Sequence, residues 1–188
     1  MLEFLSNYSG ALTGVAALIG ACVAIYGISE WKRQFKWRIE YETARRYIRA
    51  LYDVREAINR DVRNPTISHA EMKAAEEAAQ FKGLDVTRAD TQWIIYNRRW
   101  EKVSVARTNL REALLETEVL WGNEIKNAQS ALDALIGILY GKIWAIFHNV
   151  PTPDADIYLY HTDGKDSFTA EIDNVIEGVA KPLRSHLR

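Results

Sequence analysis

The sequence contains little of what cross-links or interrupts a chain. Among 188 residues there is one cysteine, Cys22, and of the four prolines none precedes Pro65. A single cysteine excludes an intrachain disulfide. Because proline is the residue that helix interiors tolerate least, its absence leaves the first third of the chain free to form one long helix. The length suits one domain with an appendage better than two independent domains.

Neither sign of charge is in excess. Lys and Arg total 24 against 25 for Asp and Glu, and the formal net charge is -1. Proteins that bind nucleic acid neutralise its phosphates with a basic surface, so this balance makes nucleic acid an unexpected partner. The sequence also lacks HExxH, G-x-S-x-G and a phosphate-binding glycine loop. These absences favour a protein that is not an enzyme and needs no cofactor or metal.

Charge is missing altogether from Ser9 to Ser29, where the sequence reads SGALTGVAALIGACVAIYGIS. About 20 helical residues cross a hydrocarbon core of about 30 Å. We therefore predict a transmembrane anchor over residues 1–30. A secretory signal would begin with Lys or Arg, whereas the one charged side chain among residues 1–8 is that of Glu3. IGAC, ending at Cys22, resembles a lipoprotein lipobox, but the apolar sequence continues past it.

A basic, aromatic segment, WKRQFKWR, follows the apolar run. Cations that flank a span resist translocation, which predicts that the chain after the span is cytoplasmic and that its beginning lies outside. Tryptophan and long cationic side chains also suit the level of the lipid headgroups. The predicted membrane-interface residues are Trp31, Lys32, Arg33, Lys36, Trp37 and Arg38.

Small side chains gather on one side of the predicted span. At about 100° per residue, one face carries Thr13, Ala16, Ala17, Gly20, Ala24 and Gly27. Small residues let the backbones of two membrane helices approach closely, as in GxxxG dimers, and Gly10 and Gly14 form a literal GxxxG beside this face. This face is our candidate surface for self-association, and it predicts a homo-oligomer. An unidentified protein partner is a further possibility.

After the span, apolar residues recur at helical spacing in several segments. The stripes are Tyr47, Leu51, Val54, Ile58 and Val62; Trp93, Tyr96, Trp100, Val103, Leu110, Leu114 and Trp121; Ile125, Leu132, Leu135, Leu139, Ile143 and Ile146; and Ile172, Val175, Ile176 and Val179. They predict an all-α fold, an N-terminal transmembrane helix followed by an antiparallel cytoplasmic helical bundle over residues 31–188. Residues 132–147 are apolar, yet Asp133 and Lys142 interrupt them and favour a core helix over a second span. Residues 149–167 read as a loop with a short extended piece at 157–160.

One pair of residues suggests chemistry. Arg63 and His69 have the spacing of HEPN ribonucleases, in which an arginine and a histidine from paired protomers cleave RNA, so a membrane-tethered ribonuclease is the alternative function. Chance alone gives such a spacing in a chain with this many arginines. Ser68 and Glu71 form a capping-box pattern that places His69 in the first turn of a helix. Acidic and histidine residues in the later loop match no metal signature: Asp154, Asp156, His161, Asp163 and Asp166.

Residues 26–65, with ALLETEVLWG at 113–122 and IDNVIEGVAKPLRSHL at 172–187, resemble a family of small single-span bacterial membrane proteins. The resemblance implies a helical protein of the bacterial inner membrane and brings no activity, cofactor or site residue. In layout the chain is also similar to a membrane accessory protein of RNA-targeting CRISPR systems that forms a multimeric pore. The predicted function is a membrane-anchored, self-associating scaffold, partner-binding module or membrane-perturbing effector.

Overall fold

The computed structural model describes residues 2–81, 88–161 and 166–187, and the side chains within these ranges except those of residues 2–12, 88–90, 124 and 128. In the described ranges all regular structure is helical, as predicted. The six α-helices are α1 (Leu2–Glu56), α2 (His69–Phe81), α3 (Arg88–Trp121), α4 (Asn123–Phe147), α5 (Ala155–Leu159) and α6 (Ser167–Leu183). A π-helical turn, Ala57–Val62, follows α1, and a 3₁₀ turn, Arg184–Leu187, follows α6.

The chain divides into two compact units, Met1–Glu42 and Thr43–Arg188. We call them the first and the second unit. The boundary between these units, after Glu42, reflects contacts within the chain. The boundary that we predicted at residue 30 reflects the end of the uncharged run. In the first unit, which belongs to α1, the side chains from Thr13 onward are exposed except for those of Glu30, Glu40 and Tyr41, which are partly exposed.

The core of the second unit is built from the predicted stripes. All five stripe residues from the end of α1 and the π-helical turn are fully buried, from Tyr47 to Val62. On α3, Tyr96, Val103 and Leu110 are buried, and the tryptophans pack against the core at its edge. Buried residues of α4 and α6 complete the cluster: Ile125, Leu132, Leu135, Leu139, Ile143, Ile172, Ile176 and Val179. Helical spacing in the sequence therefore identified the core correctly.

Two helices in the described ranges are long and apolar enough to cross a membrane. The first contains the predicted span, and none of its apolar window is buried. The second is α4, which buries Leu132, Ile136 and Leu139 against the rest of the second unit. Its Asp133 accepts hydrogen bonds from the Arg107 side chain at 2.5 and 3.1 Å. These contacts agree with the prediction that α4 is a core helix.

Two of the connections between helices have distinctive backbone conformations. Gly122 joins α3 to α4 with a φ of 71°, a backbone conformation that favours glycine. The predicted extended piece at 157–160 is wrong, because most of it lies in the short helix α5. Asp154 begins α5 in a left-handed conformation, its carbonyl accepts from the Ile157 amide at 3.0 Å, and only Tyr160 is extended.

Candidate functional site

The predicted span lies in α1 with its apolar side chains uncovered. Val15, Leu18, Val23, Ile25 and Tyr26 each expose more than half of their surface, up to 71% for Tyr26. Exposed apolar surface on this scale marks a site of contact with a membrane or another protein. This segment is therefore a candidate surface for contact with lipid or with another protein.

The predicted self-association face is equally uncovered. Every residue from Thr13 to Ser29 is exposed. A methyl group added in place of the glycine hydrogen at Gly14, Gly20 or Gly27 would meet no atom within 4 Å apart from the helix itself. This openness is shared by every other face of the segment, so exposure alone does not single out the small-residue face.

The predicted interface residues stack and pair along α1. Trp31 lies on Phe35 with ring centroids 5.6 Å apart, and Trp37 lies on Tyr41 at 5.4 Å. Three of the four cations lie beside glutamates of the same helix: Arg33 with Glu30 at 2.7 Å, Lys36 with Glu40 at 3.7 Å, and Arg38 with Glu42 at 2.9 Å. Exposed pairs of this kind contribute little energy, so these cations keep their freedom to turn toward other anions.

A buried polar network lies where the π-helical turn ends. The Arg63 amide donates to the Ile58 carbonyl, five residues back, at 2.9 Å, and this bond closes the turn. The Arg63 side chain is fully buried. It donates to the side chains of Asn59, Thr169 and Asp166 at 3.3, 2.6 and 2.7 Å.

The same guanidinium also holds the segment that precedes α6. It donates to the carbonyls of Ile157 and Tyr160 at 2.5 and 2.9 Å. In return, the His161 amide donates to the Arg63 carbonyl at 2.8 Å. Asp166 accepts from the Thr169 amide at 2.7 Å and so caps α6. Arg63 therefore ties the end of α1 to the start of α6.

Arg99 plays the same part for the connection between α1 and α2. It is buried, and it donates to the carbonyls of Asn64 and Thr66, each at 2.7 Å, and to both carboxylate oxygens of Glu71 at 2.8 and 3.1 Å. Glu71 also accepts from the Ser68 amide at 2.8 Å, while the Glu71 amide donates to the Ser68 hydroxyl at 3.2 Å. The predicted capping box is thus confirmed.

These bonds change the acidity of Glu71. Hydrogen bonds from Arg99 are the largest cause, and those from Ser68 add to them; together they outweigh partial burial and lower the pKa of Glu71 to about 2. The carboxylate is therefore ionised at every physiological pH. A permanently ionised carboxylate suits a structural tie better than proton transfer.

Arg63 and His69 occupy different environments. Arg63 is buried with five oxygen acceptors, and His69 is exposed in the first turn of α2. Within the described residues no hydrogen bond joins the two side chains. The histidine that approaches Arg63 is His161, whose ring lies 3.0 Å from the Thr169 hydroxyl and 3.6 Å from Asp166. This geometry favours a structural role for Arg63.

Of the acidic loop residues considered as metal ligands, Asp163 lies outside the described residues. Among the residues that are described, no group of three or more Asp, Glu, His or Cys side chains could hold a metal ion. Asp166 is occupied by Arg63 and by the cap of α6. Arg99 was missed as a member of the network, because its partner carbonyls lie more than 30 positions away and no local pattern indicates them.

Comparison of this chain with family models, with curated proteins and with solved structures gives no match. The functional argument therefore depends on the chain's own geometry.

Proposed function

We propose that the chain is a membrane-anchored, self-associating helical scaffold. Residues 1–30 are its transmembrane anchor, and residues 31–188 form a cytoplasmic antiparallel helical bundle. One observation carries this proposal: the uncharged run from Ser9 to Ser29, 21 residues long, is helical throughout and therefore long enough to cross a hydrocarbon core, and all of its described side chains, from Thr13 to Ser29, are exposed. A bilayer is the environment that accommodates such a segment, and lipid is accordingly the first partner.

The orientation in this proposal follows from the cations after the span. Lys32, Arg33, Lys36 and Arg38 remain on the cytoplasmic side of a bacterial inner membrane, and the chain's beginning lies outside. The paired aromatic rings beside them sit at headgroup level.

Self-association is assigned to the small-residue face. Hydrophobic driving force between helices is absent in lipid, so close packing of backbones supplies the association energy. The support for this assignment is the grouping of Thr13, Ala16, Ala17, Gly20, Ala24 and Gly27 on one face. A closed ring of such helices would be a pore-like effector, and a dimer would be a scaffold for a partner protein.

The test replaces the two glycines by a bulky residue. Gly20→Ile with Gly27→Ile should hold the backbones apart and weaken the association constant about tenfold, as expected for a loss of about 1.4 kcal/mol, and so lower the oligomer population at a given concentration. Leu18→Ile, on the opposite face, is the matched control and should change little. The measurement is crosslinking and mass determination of the full chain in detergent. Equal oligomer populations in wild type and the double variant would reject the assignment.

A further inference from the structure

The second unit contains a small apolar cavity between α2 and α3. α2 is rich in alanine, and two of its alanines, Ala75 and Ala79, are buried. Because alanine side chains are short, they leave space in front of Ile94 and Ile95 of α3. The result is a cavity of about 180 Å³ whose walls are mostly apolar.

Four charged side chains also line this cavity, and three of them are paired: the four are Glu71, Arg98, Arg99 and Lys102. Arg99 pairs with Glu71 at 2.8 Å, and Lys102 pairs with Asp61 at 2.5 Å. Arg98 differs from both, since it is exposed and has no ion pair or hydrogen bond in the described part of the chain. The cavity thus has an apolar interior and one uncompensated cation at its edge.

This combination specifies the chemistry of a ligand. An apolar cavity of about 150 Å³ is large enough to bind benzene, so this one accommodates a hydrocarbon group of about six carbons. A guanidinium binds a carboxylate through two parallel hydrogen bonds, with geometry that an ammonium does not offer. We propose that this cavity binds a short aliphatic carboxylate, with its chain between Ala75 and Ile94 and its carboxylate on Arg98.

The proposal is independent of membrane anchoring and of self-association, because all residues that form the cavity belong to the second unit. Binding also leaves the ties made by Arg99 intact, since the ligand uses its neighbour. A bound carboxylate would bridge α2 and α3 and hold them together more firmly. The second unit should therefore unfold at higher temperature when the ligand is present.

The test uses the full chain in lipid nanodiscs, with sodium hexanoate as the probe and empty nanodiscs as the blank. Binding is measured by saturation-transfer NMR on the probe. Hexanoate should bind about fifteenfold more tightly than butanoate, because each buried methylene changes the affinity about fourfold. Hexan-1-ol and hexylamine should bind more weakly than hexanoate, since neither pairs with a guanidinium.

Two pairs of variants separate the parts of the site. Arg98→Gln should weaken hexanoate binding about fivefold, as expected for loss of an exposed charged hydrogen bond. Arg111→Gln is the control, because Arg111 is exposed on the same helix and does not line the cavity, and it should leave hexanoate binding unchanged. Ala75→Leu should fill the cavity and abolish binding, whereas Ala70→Leu, exposed on α2, should leave it unchanged. Ile94→Phe serves in place of Ala75→Leu if that variant fails to fold.

Several results would overturn the proposal. One is a hexanoate signal no larger than that of empty nanodiscs. Another is equal affinity for hexanoate and hexan-1-ol with no effect of Arg98→Gln, which would indicate adventitious apolar binding. A third is that Ala75→Leu changes the oligomer population and leaves hexanoate binding unaltered, because the cavity would then receive a side chain from a second copy.

Discussion

The two parts of α1 contain the same kinds of residue in opposite surroundings. In the first unit, Leu18 and Val23 are 69% and 65% exposed, whereas in the second unit Leu51 and Val54 are fully buried. The difference lies in sequence pattern. Apolar residues surround the helix in the first part, while in the second they form one stripe beside charged residues such as Arg45 and Arg49. A helix that is apolar all round requires lipid or protein on every side, and a striped helix requires a core on one side only.

A second difference concerns polar groups. In the first unit, cations pair with glutamates on the surface of their own helix, as Arg38 does with Glu42. In the second unit, Arg63 and Arg99 extend to other segments and donate hydrogen bonds to backbone carbonyls there. Stability of the second unit should therefore depend on single side chains, and stability of the first unit should not.

The largest effect that would test this contrast comes from Arg63. Arg63→Ala should cost the second unit about 3–5 kcal/mol in free energy of unfolding, because it leaves the buried Asp166 carboxylate uncompensated. Arg60→Ala is the control, since within the described residues Arg60 makes an exposed pair with Glu56 and no other, and it should change stability by less than about 0.5 kcal/mol. Urea unfolding of the full chain in detergent, followed by tryptophan fluorescence, measures both. Similar losses for the two variants would contradict the assignment of Arg63.

The next effect compares two leucines of one helix. Leu51→Ala should cost about 2–5 kcal/mol, because it opens a cavity in a closely packed core. Leu18→Ala should leave the same unfolding transition unchanged, since Leu18 belongs to the first unit and is 69% exposed. The same urea experiment reports on both substitutions. If Leu18→Ala destabilised the second unit as much as Leu51→Ala, the division into two differently stabilised parts would be wrong.

Much of this contrast is predictable from sequence. Spacing alone identified Leu51, Val54 and Ile58 as core and the run from Ser9 to Ser29 as a candidate span. The Ser68 and Glu71 capping box was also predictable, because its members are three residues apart and local geometry determines the contact. Local pattern therefore sufficed where the partners are close in the chain.

The arginine network was not predictable, because its contacts join distant positions. Spacing suggested that Arg63 pairs with His69. The side chains that it contacts include Asp166 and Thr169, about a hundred residues later in the chain. Nothing near Arg99 in the sequence distinguishes it from Arg98, yet one is buried and the other is exposed. Which arginine turns inward depends on how the helices pack, and packing is a property of the whole unit.

The smallest of these effects is the pH dependence that Glu71 contributes. Its folded pKa of about 2 lies below the ordinary 4.5, so its contribution to stability is present at neutral pH and is lost as the pH falls from about 4.5 toward about 2. Glu71→Gln keeps the capping box and removes the charge. It should be about 1 kcal/mol less stable than wild type at pH 7 after allowance for solvent screening, and the gap should close over that pH window.

Glu77→Gln is the matched control for this pH dependence, because Glu77 is exposed on the same helix. Its stability should follow that of wild type at every pH. Urea unfolding at a series of pH values gives both curves. A gap between Glu71→Gln and wild type that stayed constant down to pH 2 would exclude a contribution from the ionisation of Glu71.

The central claim is that the uncharged part of α1 crosses a bilayer and leaves the second unit on the cytoplasmic side. Reporter fusions in a bacterial host test it most directly, with one reporter placed before Met1 and the other after Arg188. The account predicts activity outside the cytoplasm for the first fusion and inside for the second, because the cations from Lys32 to Arg38 resist translocation. Two reporters on the same side would contradict the single span, and two reversed signals would contradict the orientation.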